Sequence, residues 1–482
     1  MTRARGAGGR AVDADTIVGV ATPVSQSAGG IAILRLSGPD ALRIASEAFR
    51  VGRSGRRVDA RAWESHRATY GTVTDGEGGV IDEAIAIAFR APRSYTAEDV
   101  VELHCHGGAV CVQRAMGRCA ELGARVARRG EFTLRAFLNG RLDLAQAEAV
   151  HALVSARTTA AADSALAAMR GGLTTPVSEA RRTCVDLLAE LEARLDFDDE
   201  MVPLDVGAIE AKAARARETI REVLATAKRG SLLETGVTVA ILGRPNVGKS
   251  RLLNALTRSE RSIVTSREGT TRDVVEASMN IAGIPAVLLD TAGIRSETDD
   301  EVEKIGVERS RAAAAGADIV VLVVDASRGW VSEDYAIWKS EIANNARERA
   351  AAVLVINKTD VADAANATPP PEVVDSFSAT VHISAATGDN LAELEQTLAR
   401  CISSDTVNGE SASWAANQRQ AEALQVALDS LDRLRDTIAE NMPLDFWTID
   451  IREAAFALGT VTGDDVTEDV LDTIFERFCI GK

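Results

Sequence analysis

Gly243-Arg244-Pro245-Asn246-Val247-Gly248-Lys249-Ser250 decides how the chain is read, because two glycines separated by four residues and followed by Lys and Ser fit a phosphate-cradling loop. Val237 to Leu242 before it is a short β-rich apolar run, and Arg251 to Leu256 after it carries Leu252, Leu253 and Leu256 on one helical face. In that strand, loop, helix setting the glycines let the N–H groups around Asn246, Val247, Gly248 and Arg251 converge on phosphate oxygens. Lys249 can set its ammonium against the terminal phosphates, and Ser250 can ligate Mg²⁺. Taken alone, the octapeptide is also compatible with a surface turn.

Stretches further along, in a fixed order, favour a guanine nucleotide. Asp290-Thr291-Ala292-Gly293 ends the apolar run Ala286 to Leu289, so a carboxylate falls at a strand's C-terminal edge, where Mg²⁺ and a γ-phosphate would lie. Gly293 leaves room for a backbone N–H to approach that phosphate. Asn357-Lys358-Thr359-Asp360 follows the apolar run Val353 to Ile356, and Asp360 can accept hydrogen bonds from the N1–H and exocyclic amine of guanine. Adenine lacks that donor pair. Ser384-Ala385-Ala386, after Val381 to Ile383, can offer backbone N–H to the guanine carbonyl. Between the first loop and Asp290, Gly269-Thr270-Thr271-Arg272-Asp273 is placed like a switch segment, with Thr271 as a second hydroxyl ligand for Mg²⁺. After Gly293 comes Ile294, whose alkyl side chain cannot orient a water. Another group must do so, and another positive charge must offset the charge that develops in the transition state. Residues Gly236 to Ser403 thus resemble a GTPase domain.

A length of 482 residues suggests about three domains. The net charge of −17 argues against broad attraction to nucleic acid, so any grip on RNA must be a local patch. Arg125, Arg128, Arg129 and Arg135 form the densest basic stretch of the first segment and are the candidate patch. No apolar run approaches the roughly 20 residues that span a bilayer, and no signal-peptide core is present. Six cysteines in a chain of this length do not make a disulfide framework, so a reducing cytoplasm is the expected compartment.

From Thr16 to about Leu138, strand-like runs (Ile31 to Leu36, Ile81 to Phe89, Val100 to Cys105) alternate with helix-like ones (Asp40 to Phe49, Ala109 to Leu122), which predicts an α/β or α+β domain. His104-Cys105-His106-Gly107-Gly108, with Cys111 and Cys119 near, invites a zinc reading. Alternation along a strand sends the two histidines to one face and Cys105 to the other, which favours buried apolar cysteines instead. From Leu142 to Lys228 the signals are helical. Leu187, Leu188, Leu191 and Leu195 are predicted to share a face of a helix opened near Pro176, and Pro203 precedes another helix. Helical spacing returns at Leu424, Leu428, Leu431 and Ile438 and continues around Phe446 to Leu458 and Val466 to Phe478. Neither helical half has an evident core of its own, so the two are expected to pack together around an inserted α/β domain.

The whole chain, down to its terminal Phe478-Cys479-Ile480-Gly481-Lys482, resembles the MnmE (TrmE) family of tRNA wobble-uridine modification GTPases. The resemblance implies a multidomain α/β and α fold: an N-terminal tetrahydrofolate-binding and dimerisation domain (13–138), a discontinuous helical domain (139–235 and 404–482) and an inserted P-loop, Ras-like GTPase domain (236–403). It implies that K⁺ takes the place of an arginine finger, held by Asn246, Thr265, Arg267 and Thr270. It further implies that Glu303 orients the attacking water and that Thr265, Ser266, Arg267, Glu268 and Gly269 lie along the nucleotide. The family more often has Asp and then apolar residues where this chain has Ser266-Arg267-Glu268. A 5-formyl- or 5,10-methylene-tetrahydrofolate is implied at Arg35, Glu102, Arg141 and Lys482, with Cys479 close to the one-carbon chemistry. Implied partners are a second copy of the chain, the flavoprotein MnmG (GidA) in a heterotetramer, and tRNA. A reading from another class is a ribosome-assembly switch of the Era or Der kind, which shares the nucleotide motifs and has no modification chemistry.

Overall fold

The structure, a computed structural model, describes residues 15–23, 29–52, 55–197, 203–257, 275–290, 316–343, 351–362, 367–403, 413–479 and 481. Two compact units divide the chain: Met1–His151, Met169–Arg217 and Ala423–Lys482 form one, and Ala152–Ala168 with Glu218–Glu422 form the other.

The first unit is built on an eight-stranded sheet. Its strands are β1 (Ile17–Val20), β2 (Ile31–Ser37), β3 (Phe49–Val51), β4 (Arg56–Arg57), β5 (Ala68–Thr74), β6 (Val80–Phe89), β7 (Val100–His106) and β8 (Arg125–Val126), in the order β4-β3-β5-β6-β7-β2-β1-β8. Only the β1–β8 pair is parallel. Period-two alternation turns Ala32, Leu34 and Leu36 of β2, Ala84, Ala86 and Ala88 of β6, and Val101, Leu103 and Cys105 of β7 into one core. Helices α1 (Ala41–Ala48) and α2 (Ala109–Glu121) add Leu42, Ile44, Val112 and Ala115 to it. Antiparallel register then sets Arg35 opposite Glu102, and Ile33 opposite His104. Cys105 and Cys119 are buried, and burial pushes both thiols up to about 12.

After α3 (Glu131–Leu138), α4 (Leu144–Ser155) and α5 (Thr159–Met169), the long α6 (Thr174–Phe197) buries Val177, Ala180, Cys184, Leu187 and Leu191. The predicted face was partly misplaced: Leu188 is half-buried and Leu195 is 45% exposed, because the buried stripe recurs at alternating steps of three and four and passes both by. α6 packs along a helix from the far end of the sequence, so the two helical segments do meet within this unit. Next come α7 (Val206–Leu224) and α8 (Ala227–Thr235).

The second unit carries a six-stranded sheet of β9 (Val237–Leu242), β10 (Val275–Ile281), β11 (Ile284–Asp290), β12 (Ile319–Asp325), β13 (Ala351–Asn357) and β14 (Ala379–His382), in the order β10-β11-β9-β12-β13-β14. Every pair but β10–β11 is parallel. All seven residues of β12 and of β13 are buried, as expected for strands covered on both faces. Val239, Ile241, Val321, Val323, Val353 and Val355 pack into one core, and Ala240, Leu242, Val320, Leu322, Leu354 and Ile356 into another. Helix α9 (Lys249–Thr257) contributes Leu252, Leu253 and Leu256 to the first of these. Most of α5 also belongs to this unit: Thr158 Oγ1 accepts from Ala161 N at 3.2 Å and donates to Gly283 O at 2.7 Å, at the turn between β10 and β11.

Further helices among the described residues include α10 (Ser332–Ile337), α11 (Leu391–Ser403), α12 (Gln418–Ala439), α13 (Leu444–Thr462) and α14 (Glu468–Phe475). α13 is the partner of α6, and Arg181 pairs with Asp465 at 2.9 Å and Arg452 with Glu192 at 2.6 Å between their segments. α12 buries Leu424, Leu428, Leu431 and Ile438 as predicted. Phe475 and Phe478 bury against Leu144, Ala147 and Leu471 in the first unit. At about 1.5–3 kcal/mol for a fully buried large apolar side chain, burying the two rings favours holding the segment around them in place. No described helix is long and apolar enough to cross a membrane.

Candidate functional site

Parallel strands of the second unit end at one edge, and the sequence puts its nucleotide residues just past those ends. β9 delivers the loop Gly243 to Gly248, β11 ends at Asp290 opposite Ile241 of β9, and β13 ends at Asn357. Asn246 adopts a left-handed conformation (φ 66°), and Gly248 has φ 105°. A Cβ on Gly248 would lie 2.4 Å from Asn357 Nδ2, so only glycine lets the two segments approach this closely. Asn357 Nδ2 donates to Val247 O at 2.8 Å, and its Oδ1 accepts from Ala385 N at 3.0 Å. One buried amide thereby joins three of the predicted stretches.

The Lys249 ammonium is buried against the loop, donating to Gly243 O at 2.6 Å and Arg244 O at 2.8 Å. Val247 is buried, while Asn246, Ser250 and Arg251 are exposed and open to a ligand. Lys358 Nζ donates to Asn246 O at 2.8 Å and to Asp325 Oδ2 at 2.6 Å. Burial works to raise the Asp325 pKa, but hydrogen bonds from Lys358 and Ser327 outweigh it and hold the carboxyl below its ordinary value. Asp360 is exposed and accepts from the buried Ser384 hydroxyl at 2.6 Å, which steers its carboxylate. Ala385 is buried and Ala386 exposed. Fixed N–H groups, an ammonium and an aimed carboxylate in this order suit a polyphosphate at one end and a guanine edge at the other. Thr265, Ser266, Arg267, Glu268, Gly269, Thr270, Thr271, Thr291, Ala292, Gly293 and Glu303 lie outside the described residues.

A second cluster lies in the first unit. Arg35 Nε donates to Glu102 Oε1 at 2.9 Å and Nη2 lies 2.8 Å from the same oxygen, as the strand register requires. The Arg35 guanidinium sits 5.0 Å from the centre of the Tyr95 ring, and Arg141 stacks on that ring at 5.0 Å as well. Arg141 Nη1 donates to Tyr95 O at 2.9 Å. The chain's end reaches the same place: Arg35 Nη1 donates to Gly481 O at 3.3 Å, and Gly130 N donates to Cys479 O at 3.4 Å. Gly481 has φ 97°, and a Cβ there would stand 2.0 Å from Val20 O. Cys479 is exposed. Lys482 lies outside the described residues. Tyr95, which organises this cluster, was missed from sequence; its only signal is a lone aromatic in the polar run Arg93-Ser94-Tyr95-Thr96.

The basic stretch proposed as an RNA patch is largely spent on structure. Arg135 is 3% exposed and pairs with Asp15 at 2.6 Å, Glu131 at 3.2 Å and Glu98 at 3.3 Å. Arg125 pairs with Asp15 and Glu131, both at 2.5 Å. Asp15 and Glu98 are too far away in sequence to read as partners of these arginines, and only Arg128 and Arg129 of the four are exposed.

Comparison with known proteins covers the same ground. A family model described as the MnmE helical domain matches residues 144–479, and one described as the GTP-binding protein TrmE N-terminus matches residues 16–141. The chain is similar to the tRNA modification GTPase MnmE of Cyanothece sp. strain PCC 7425, with 50% identity over 468 residues, 97% of this chain and 99% of that protein. It is likewise similar to MnmE of Synechococcus elongatus, with 48% identity over 469 residues, 97% of this chain and 99% of that one. A crystal structure of Era in complex with MgGDPNP and nucleotides 1506–1542 of 16S ribosomal RNA matches 34% of this chain and 56% of its own, at 34% identity and a TM-score of 0.28.

Proposed function

The chain belongs to the MnmE family of tRNA modification GTPases, and on that premise we propose that its GTP hydrolysis serves the addition of a carboxymethylaminomethyl or aminomethyl group to C5 of the wobble uridine in certain tRNAs. What carries the proposal is the family match over residues 16–141, a region separate from the nucleotide motifs, in which Arg35, Glu102, Tyr95 and Arg141 are gathered. An Era- or Der-like assembly switch accounts for the loop and for Asp360 but gives that region no task.

In this reading GTP binds along Asn246 to Arg251, with Lys249 against the terminal phosphates and Asp360, Ser384, Ala385 and Ala386 at the base. Ser250 and Thr271 would hold Mg²⁺. Asn246, Thr265, Arg267 and Thr270 would hold K⁺, and Glu303 would orient the water. Held there, the cations would supply positive charge to the phosphate oxygens. A tetrahydrofolate fits the first unit because Glu102 offers a carboxylate to a pterin's amide-like edge, Tyr95 offers a ring face, and Arg35 and Arg141 offer guanidinium groups to carboxylates. Lys482 and Cys479 would complete that site from the chain's end. The domain limits expected from sequence, a homodimer, a heterotetramer with the flavoprotein MnmG and a cytoplasmic location belong to the same proposal.

Two measurements on the purified full-length protein test it. GTP turnover should be several-fold faster in K⁺ than in Na⁺ at equal ionic strength, and 5-formyltetrahydrofolate should bind with a fluorescence or calorimetric signal. Cation-independent turnover with no folate binding would favour the assembly switch.

A further inference from the structure

Asp334, in the short helix α10, is fully buried, an unusual place for a carboxylate. Its Oδ1 accepts from Arg244 Nε at 2.8 Å and its Oδ2 accepts from Val331 N at 3.2 Å. Arg244 directly follows Gly243 in the nucleotide loop, and its side chain is 12% exposed. Among the described residues its Nη2 is buried with no hydrogen-bond partner. A buried ion pair is often no more stabilising than apolar side chains of the same volume, and an unmatched donor weakens it further. What this pair supplies to the loop is therefore geometry.

The backbone of Arg244 carries the consequence. Its carbonyl accepts from Lys249 Nζ, and so does the neighbouring Gly243 carbonyl. An ammonium has three donors in fixed relation, so carbonyls held in place constrain where the ammonium sits and how it is turned. We propose that Asp334 is a positioning residue for GTP hydrolysis: it anchors the Arg244 side chain and so fixes the two carbonyls that aim Lys249. This rests on the GTP-hydrolysing reading of the loop. A small displacement of a charged group weakens its hold on developing transition-state charge more than its hold on bound substrate, so kcat should respond more than KM.

The test uses the full-length chain, with GTP turnover and thermal unfolding measured on the wild type, on Asp334→Asn and on the double variant Arg244→Met/Asp334→Leu. Asp334→Asn should lower kcat by about ten- to a hundredfold, with KM changed less than threefold. The double variant, which refills the pocket with apolar atoms, should unfold at or above the wild-type temperature and keep the loss in kcat. Wild-type kcat in the double variant would overturn the proposal, because the pair would then be only one packing solution among others. Failure of the double variant to fold would overturn it too, by showing that the pair is there for stability. If the wild type itself does not hydrolyse GTP, the fault lies in the reading of the loop and not in Asp334.

Discussion

The nucleotide loop and the Tyr95 cluster are assembled in opposite ways. The loop's working groups lie within eight consecutive residues, and parallel strands bring up the rest by ending at one edge. The Tyr95 cluster gathers residues 35, 95, 102, 141 and 481: antiparallel register pairs Arg35 with Glu102, Arg141 bonds and covers Tyr95, and Phe475 and Phe478 are buried just before Gly481. The first kind of site is written locally and its tolerance to change should be low. The second depends on the fold to bring it together, and single losses there should be graded.

The sharpest contrast should come from Asp360→Ala. It removes an acceptor for two charge-assisted hydrogen bonds, each worth about 1.5–3 kcal/mol, so affinity for a fluorescent GDP should fall about a hundredfold or more. Arg35→Ala should weaken 5-formyltetrahydrofolate binding by about ten- to a hundredfold, since Glu102 loses its partner while Arg141 and Tyr95 remain. Equal and total loss in both variants would erase the distinction between local and assembled sites. A smaller effect is expected from Arg128→Ala, which removes an exposed charge near the first unit's sheet and should weaken tRNA binding about twofold to fivefold, with a shallower salt dependence. The mildest readout is chemical. Iodoacetamide at pH 8 should modify the exposed Cys479 in the folded protein and spare Cys105, Cys119 and Cys184, whose thiols burial pushes up to about 12. Labelling of the buried cysteines at the same rate as Cys479 would show that the sheet and α6 open readily.

The same contrast explains what the sequence made legible. β9 coincides with the apolar run Val237 to Leu242, and β6 and β7 lie within a residue of their predicted limits, because strand periodicity and loop chemistry are local properties. The faces of long helices were less secure: a one-residue error over the turns of α6 moves Leu195 from the core to solvent. Charge was the hardest to interpret. Arg125 and Arg135 look like free cations until Asp15 and Glu98 are folded against them, and Asp334 looks like surface in Ser332-Glu333-Asp334 until Arg244 arrives from 90 residues away. A sequence displays which side chains carry charge, but long-range packing chooses their partners.

The most direct test is the nucleoside content of tRNA from cells lacking the gene, measured by mass spectrometry after complementation with the wild-type chain or with Lys249→Ala. The wild type should restore 5-carboxymethylaminomethyl- or 5-aminomethyl-type uridines, and Lys249→Ala should restore none, since removing the ammonium should cost GTP turnover at least about a hundred- to a thousandfold. Restoration by Lys249→Ala to wild-type levels would contradict the coupling of GTP hydrolysis to tRNA modification.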